Sequence, residues 1–266
     1  MIGAVDIGGT KTLVALFSDK GKIKKSIRFE TSQNYAEFLT NLADTVDKLS
    51  TKDFRKFVVA VPGRLDRENG VALGYGTLKW TEENIASDIE KFVNCPVVIE
   101  NDAKLAGLYE ANNIIKSYKK VLYVTIGTGI SCALITNGKI DPDLKDSEGG
   151  QILVDYRGQM KQWEDIVSGR AIVERFGKKA TDINDKVTWK EIARDLSLGI
   201  IDLISVIQPE VIVMGGGVNT NFKKYIDYLK ADLKKYETPL VPIPPIKQAN
   251  RPEEAVIYGC YEMART

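Results

Sequence analysis

The chain has 266 residues, among them 37 basic and 36 acidic side chains, three cysteines and no histidine. Balanced charge excludes the basic footprint of a nucleic-acid-binding protein, and no apolar stretch approaches the roughly 20 residues that span a bilayer. The scattered Cys95, Cys132 and Cys260 indicate neither a disulfide framework nor a Cys-rich metal site.

The first predicted element is a β-hairpin around a glycine turn. Apolar, β-rich runs at 2–5 and 12–17 flank Asp6-Ile-Gly-Gly-Thr-Lys11. Paired glycines let the backbone approach a ligand closely, and free N–H groups of such a turn can hold phosphate. Asp6 can face Mg²⁺ through water. A plain Gly-Gly hairpin is the alternative interpretation. The candidate phosphate residues are Asp6, Gly8, Gly9, Thr10 and Lys11.

Further elements follow from apolar periodicity and from Gly, Pro and capping signals. Helices are predicted over 35–49, 81–93, 103–115, 163–176, 189–207, 222–236 and 253–265, and buried strands over 57–61, 97–100, 121–126, 130–136 and 211–214. Residues 64–80 and 141–150 are predicted loops, and the length of the first favours a binding role. The proline-rich segment 239–245 predicts a final strand or a docked segment.

A second copy of the opening signal lies in the middle of the chain. Gly127-Thr128-Gly129 stands between two β-rich runs, and the segment after it repeats the strand, polar turn and Gly-Lys-Ile ending found after the first turn. The repeat predicts two related halves. Two such glycine turns facing each other would hold a nucleoside triphosphate from both sides.

Two further sites follow predicted strands. Asn101 and Asp102 stand where a strand ends and a helix begins, the edge at which open α/β sheets bind ligands. Both residue types are also common helix caps, which is the alternative. Gly215-Gly216-Gly217 could pass its backbone against a flat purine, or could be a plain strand–helix turn.

These stretches resemble the ROK family of sugar kinases, within the actin/Hsp70/hexokinase ATPase superfamily. The matching motifs occur in the family's order over most of the chain: Asp6-Ile-Gly-Gly-Thr-Lys11, Pro62-Gly63-x-x-Asp66, Glu100-Asn101-Asp102-Ala103, Gly127-Thr128-Gly129, Glu164-x-x-x-Ser168-Gly169 and Gly215-Gly216-Gly217-Val218.

The resemblance implies an α/β fold of two ribonuclease H-like, actin-like ATPase domains with a cleft between them. The expected boundaries are 1–115 for the N-terminal domain, 116–250 for the C-terminal domain, and 251–266 for a helix that packs back on the first domain. ATP and Mg²⁺ are the implied cofactors, and Asp102 is the implied general base. The implied nucleotide contacts are Asp6, Gly8, Gly9, Thr10, Lys11, Gly127, Thr128, Gly129, Gly215, Gly216 and Gly217.

The implied substrate is a hexose or an N-acetylhexosamine. Gln151 stands where the family's Gly-Glu-x-Gly-His segment has its His, and Thr77 stands where the family has Asn. The family's Cys-rich zinc knuckle before Glu164 is missing, so we expect no zinc. The implied sugar contacts are Gly63, Thr77, Asn101, Asp102, Glu148, Gln151 and Glu164.

Two other functions fit parts of the pattern. One is a non-catalytic sugar sensor, and the other is an actin- or Hsp70-like ATPase with another substrate. Because the phosphate turn begins at residue 6 and no signal-peptide pattern precedes it, we expect a cytoplasmic protein without a DNA-binding domain. We expect a small-molecule sugar as partner, no nucleic acid and no membrane, and leave a homodimer open.

Overall fold

A computed structural model describes residues 1–51, 53–252 and 254–265. Its strands are β1 Ile2–Ile7, β2 Lys11–Phe17, β3 Ile23–Glu30, β4 Lys56–Val61, β5 Arg64–Asp66, β6 Val71–Gly74, β7 Val97–Asn101, β8 Lys120–Ile126, β9 Ile130–Thr136, β10 Lys139–Ile140, β11 Leu153–Tyr156, β12 Gln159–Gln162, β13 Val211–Gly215 and β14 Ile246–Gln248. Its helices are α1 Tyr35–Asp47, α2 Ile85–Val93, α3 Asp102–Asn113, α4 Glu164–Val167, α5 Gly169–Phe176, α6 Lys186–Ile207, α7 Phe222–Leu233 and α8 Ala255–Arg265.

The first sheet has five strands in the order β3-β2-β1-β4-β7. β1 pairs antiparallel with β2 and parallel with β4, and β4 pairs parallel with β7. Because apolar side chains alternate between two buried faces, β1 places Val5 and Ile7 in a core under α1 and α2. Ile2 and Ala4 pack on the other face with residues of α8. The carboxyl ends of β1, β4 and β7 therefore share one edge.

The second sheet repeats this arrangement in the order β10-β9-β8-β13-β14. β8 pairs antiparallel with β9 and parallel with β13, as β1 does with β2 and β4. A hydrophobic core packs against one face of this sheet and includes Trp163 and Trp189, both almost fully buried. The repeated sequence signal thus corresponds to two sheets with the same strand order.

Tertiary contacts divide the chain into two compact units. Unit 1 comprises Met1–Tyr109 and Glu254–Thr266, and unit 2 comprises Glu110–Glu253. The chain therefore changes unit within α3, between Tyr109 and Glu110, and again just before α8.

Several element predictions are wrong in detail. The loop predicted at 64–80 contains the short hairpin of β5 and β6. The helix predicted from residue 81 begins at Ile85, because Asn84 caps it by accepting the Ser87 amide. The helix predicted over 163–176 is broken at Ser168, whose ψ of 167° is extended and whose side chain caps α5.

Other differences lie at strand positions and at the C-terminus. β3 was not among the predicted strands. The final strand, β14, begins after the proline-rich segment rather than within it. Glu253, where the closing helix is predicted to start, lies outside the described residues, and α8 begins at Ala255. Among the described residues, no helix combines the length and apolar character that crossing a lipid bilayer requires.

Candidate functional site

The first turn predicted to bind phosphate joins β1 to β2. Its residues 8–11 are called here the first phosphate turn. The Gly8 amide donates to the Lys11 carbonyl at 3.1 Å, which closes the turn. Thr10 and Lys11 are exposed, so their side chains are available to a ligand. A Cβ at Gly9 would lie 2.2 Å from the Thr77 hydroxyl oxygen, so only glycine fits beneath Thr77. The structure therefore brings the predicted sugar residue Thr77 against the phosphate turn.

Asp6 and Asp102 come together at the edge where β1 ends and α3 begins. Burial, and then the nearby charge of Asp102, raise the pKa of Asp6 from 3.8 to about 7, against an opposing effect of Arg28. Burial also raises the pKa of Asp102, although the Ala103 amide and Lys104 favour its charged form. Two largely buried carboxyl groups close enough to interact make a site that favours a proton or a cation.

Asn101 holds the local backbone around Asp102. Its Oδ1 accepts the amides of Ala103 and Lys104, at 3.0 and 3.2 Å, and thereby caps α3. Its Nδ2 donates to the Gly63 carbonyl at 3.2 Å. The cap interpretation is thus correct for Asn101, and one side-chain N–H remains beyond these contacts for a ligand. Asp102 Oδ1 accepts the Ala103 amide at 2.7 Å.

Arg67 supports the site from a position that no sequence pattern indicates. Its Nε donates to both Glu100 oxygens, at 3.0 and 2.9 Å, and its Nη2 donates to Oε1 at 2.6 Å. Glu100 is buried on β7 directly before Asn101. A buried carboxylate on a strand requires a cation nearby, and that requirement is the signal that points to a partner such as Arg67.

Gly63 follows β4 and has a φ of 103°, which favours glycine. A Cβ there would lie 2.0 Å from the Gly74 carbonyl oxygen, so the loop after β4 packs tightly on the end of β6. With the Asn101 contact, this packing places Gly63 beside the start of α3. Unit 1 therefore collects the predicted residues Asp6, Gly8, Gly9, Thr10, Lys11, Gly63, Thr77, Asn101 and Asp102.

The second turn predicted to bind phosphate, Gly127–Gly129, joins β8 to β9 in unit 2 and is called here the second phosphate turn. The Gly127 amide donates to the Gly129 carbonyl at 3.0 Å. The first amides of α5 hold the same turn, because Gly169 donates to the Gly127 carbonyl at 2.7 Å and Arg170 to the Thr128 carbonyl at 3.4 Å. A Cβ at Gly169 would lie 2.6 Å from the Gly127 oxygen, so the motif's glycine allows this contact.

Glu164, at the start of α4, also contacts this turn. Its Oε2 accepts the Ile130 amide at 3.1 Å, and its Oε1 accepts from Gln151 Nε2 at 2.8 Å. Unit 2 therefore joins Gln151 and Glu164 directly, next to Gly129. Glu148 is exposed just before the 3-10 turn that contains Gln151.

The third glycine turn lies at the end of β13. Gly216 has a φ of 85°, and a Cβ there would lie 2.6 Å from the Ile126 carbonyl oxygen and from the Thr125 hydroxyl. The turn therefore packs against the end of β8, beside the second phosphate turn. The buried Asn219, which no sequence pattern indicates, donates from Nδ2 to the Gly215 carbonyl.

Two regions of the chain are relevant to metal binding. Among the described residues, no group of three or more His, Cys, Asp or Glu side chains could hold a metal ion. The pair of Asp6 and Asp102 nevertheless fits Mg²⁺, which proteins commonly hold through one or two carboxylates together with substrate phosphates. Where the family carries its zinc knuckle, this chain has the hairpin of β11 and β12, which turns at Arg157 and Gly158.

Comparisons with known proteins cover the whole chain. The ROK family model matches residues 2–266. The glucokinase of Streptomyces coelicolor is 23% identical, over 98% of this chain and 96% of that protein. The N-acetyl-D-glucosamine kinase of Mannheimia succiniciproducens is 27% identical over 97% of each.

Solved structures show the same fold. A ROK family glucokinase from Streptomyces griseus, in complex with glucose and AMPPNP, is 22% identical with a TM-score of 0.82 over 99% of each chain. A ROK family transcriptional regulator, a homologue of the E. coli MLC protein, is 15% identical with a TM-score of 0.86, over 99% of this chain and 77% of that one. The predicted α/β class with two actin-like ATPase domains is confirmed. With a family match along essentially its entire length, the chain belongs to the ROK family.

Proposed function

We propose that this ROK family sugar kinase transfers the γ-phosphoryl group of ATP to a hydroxyl of a hexose or an N-acetylhexosamine, with Asp102 as general base. The observation that carries the proposal is the position of Asp102. It stands at the first residue of α3, beside Asp6, at the sheet edge that also bears the first phosphate turn. Relatives that act on glucose and on N-acetylglucosamine support this range of sugars.

A sugar hydroxyl becomes a better nucleophile as its proton is accepted. In the proposed step the hydroxyl oxygen bonds to the γ-phosphorus, its proton passes to Asp102, and the bond from the γ-phosphorus to the β–γ bridging oxygen breaks, which releases ADP. Burial raises the pKa of Asp102, which makes this carboxylate a stronger base than an exposed aspartate. The chain has no histidine that could take this role.

We assign nucleotide contacts within each unit separately. In unit 1 we assign to the phosphates the first phosphate turn, with the Thr10 hydroxyl and the Lys11 ammonium. In unit 2 we assign the second phosphate turn, with Gly215–Gly217 for the purine. Asp6 would hold Mg²⁺ through water. When bound, Mg²⁺ neutralises phosphate charge and orients the phosphoryl group.

We assign candidate sugar contacts within each unit in the same way. Asp102 and the remaining N–H of Asn101 face hydroxyl groups in unit 1, beside Gly63 and Thr77. Unit 2 supplies Glu148, Gln151 and Glu164. Gln151 differs from the family's His, and its amide already donates to Glu164. Gln151 and Thr77 are therefore the two positions that we expect to set the sugar preference of this chain.

A panel of sugars with ATP and Mg²⁺, followed by ADP release, tests the proposal. The panel contains glucose, fructose, mannose, N-acetylglucosamine and N-acetylmannosamine, with 6-deoxyglucose as a matched sugar that lacks one hydroxyl. At least one hexose or N-acetylhexosamine is expected to raise ADP release well above the sugar-free rate. ADP release that no sugar changes would contradict the proposal.

A further inference from the structure

The carboxylate of Glu164 contacts the second phosphate turn, although the sequence pattern assigns this residue to the sugar alone. Its Oε2 accepts the amide of Ile130, the residue that directly follows the turn, at 3.1 Å. The same oxygen lies 2.7 Å from the position of a Cβ at Gly129 and 3.0 Å from that of a Cβ at Gly150. Glycines at these positions therefore leave room for the carboxylate beside the turn.

The other carboxylate oxygen of Glu164, and the start of the helix that carries it, are held in place as well. Gln151 Nε2 donates to its other oxygen at 2.8 Å, so both carboxylate oxygens have protein partners. The preceding residue, Trp163, is fully buried and donates from Nε1 to the Asp195 carbonyl of α6 at 3.0 Å. A Cβ at Gly199 would lie 2.2 Å from the Trp163 ring, so α6 packs closely on it. The start of α4 is thereby anchored to the core of unit 2.

The turn is thus held at both of its ends. On one side, the α5 amides of Gly169 and Arg170 bind the carbonyls of Gly127 and Thr128. On the other side, Glu164 binds the amide of Ile130. A glycine turn has many accessible conformations, and a turn that binds phosphate through its amides gains affinity when its conformation is fixed before the ligand arrives.

We propose that Glu164 is a positioning residue for nucleotide binding: by holding the Ile130 amide, it keeps the turn Gly127–Gly129 in the conformation that receives phosphate. The inference rests on the proposed function for the identity of the ligand at this turn. A sugar hydroxyl that binds the Glu164 carboxylate would then affect the conformation of the turn Gly127–Gly129 through this one side chain.

A ligand-free test uses the space at Gly129. In the wild type, Gly129→Ala pushes its Cβ against Glu164 Oε2 and must break the Ile130 contact, so Tm should fall by about 3 °C. In a Glu164→Ala background the same substitution should leave Tm unchanged. Gly127→Ala is the matched control, because no atom lies within 4 Å of its Cβ position. If Gly129→Ala reduced Tm equally in the wild type and in the Glu164→Ala background, Glu164 would not hold the turn and the proposal would be overturned.

Should Glu164→Ala not fold, Gln151→Ala serves in its place. It releases Oε1, so the carboxylate can move away from Gly129 at lower cost. Gly129→Ala should then reduce Tm less than it does in the wild type, and an equal reduction would count against the proposal.

Nucleotide affinity is the second readout, measured by calorimetry with AMPPNP and Mg²⁺ and without sugar. Glu164→Gln removes the charge but keeps an acceptor for the Ile130 amide, whereas Glu164→Ala removes both. We expect the Ala variant to bind AMPPNP about tenfold more weakly than the Gln variant, because a fixed amide loses its acceptor. Glu174→Ala, an exposed carboxylate on α5, is the control that should match the wild type.

Equal AMPPNP affinity in the Ala and Gln variants would overturn the positioning role. Because no sugar is present, this outcome is independent of whether the sugar panel yields a substrate. If wild-type protein binds no AMPPNP, the proposed function fails, and the Tm comparison still decides whether Glu164 holds the turn.

Discussion

Asp102 is the residue on which the proposed transfer depends. Asp102→Asn keeps the shape of the side chain but cannot accept a proton, so kcat should fall by about a hundredfold or more. AMPPNP affinity should change little, since the phosphate contacts that we propose lie in the two glycine turns. Asp44→Asn, an exposed change on α1, is the matched control for the loss of one aspartate. A variant with near wild-type kcat would remove Asp102 from the mechanism.

Asp6 makes stability depend on pH. Burial and the charge of Asp102 raise the pKa of Asp6 to about 7, so the folded protein binds this proton more tightly than the unfolded chain does. Ionisation therefore costs stability progressively as pH rises from about 4 to about 7, and the full cost persists above pH 7.

Asp6→Asn, which stays neutral, should raise Tm at pH 8 without Mg²⁺ by about 2–4 °C and change it little at pH 4.5. If Asp6 holds Mg²⁺ as proposed, Mg²⁺ with AMPPNP should stabilise the ionised form of the wild type, so the difference in Tm should shrink when both are added. Thermal melts at the two pH values check this. A lower Tm for the variant at pH 8 would show that the Asp6 charge is already balanced within the protein.

At the scale of single elements, the end of β7 depends on the buried pair of Arg67 and Glu100. The side chains are 17% and 5% exposed, and removal of one partner leaves the other charge uncompensated. Arg67→Met should reduce the free energy of unfolding by about 2 kcal/mol, less than for a fully buried pair because Arg67 is partly exposed.

Urea denaturation measures this loss. Lys91→Met removes the exposed partner of Asp88 on α2 and should cost under about 0.5 kcal/mol. Because Glu100 Oε1 also accepts the amide of Asn101, the residue that caps α3, at 2.6 Å, Arg67→Met should lower kcat as well. Equal free energies of unfolding for Arg67→Met and Lys91→Met would mean that the Arg67–Glu100 pair does not stabilise the end of β7.

The buried strands were predictable from sequence because their apolar residues form short, continuous runs. β3 was not, because it is an edge strand whose sequence alternates exposed Lys25, Ser26 and Arg28 with half-buried Ile27 and Phe29. Its identity depends on antiparallel pairing with β2, to which residues 18–22 join it, rather than on an apolar run of its own. The hairpin of β5 and β6 was missed for a similar reason, since its strands have three and four residues.

The candidate site was predictable where glycine or a carboxylate follows a strand. The first phosphate turn, the second phosphate turn and Asp102 all stand at such positions. What the sequence did not reveal is which side chains hold them, because those partners are distant along the chain. Arg67 lies 33 residues before Glu100, and Glu164 lies 34 residues after Ile130.

For the whole molecule, we expect activity to require Mg²⁺ and not zinc. The chain has no histidine and three cysteines, and its β11–β12 hairpin occupies the place of the zinc knuckle. Activity should therefore be lost in EDTA, return with Mg²⁺, and withstand a zinc-selective chelator. Metal analysis of purified protein should find far less than one zinc per chain. Stoichiometric zinc, or unfolding by the zinc chelator, would contradict this prediction.

Phosphorus NMR of the complete reaction tests the central claim most directly. ATP, Mg²⁺ and the best sugar of the panel are incubated with wild-type protein and with Asp102→Asn. For the wild type we predict a new phosphomonoester signal on the sugar, equal in amount to the ADP formed, and for Asp102→Asn almost none. ADP accompanied only by inorganic phosphate, or no turnover with any sugar, would contradict the assignment as a sugar kinase.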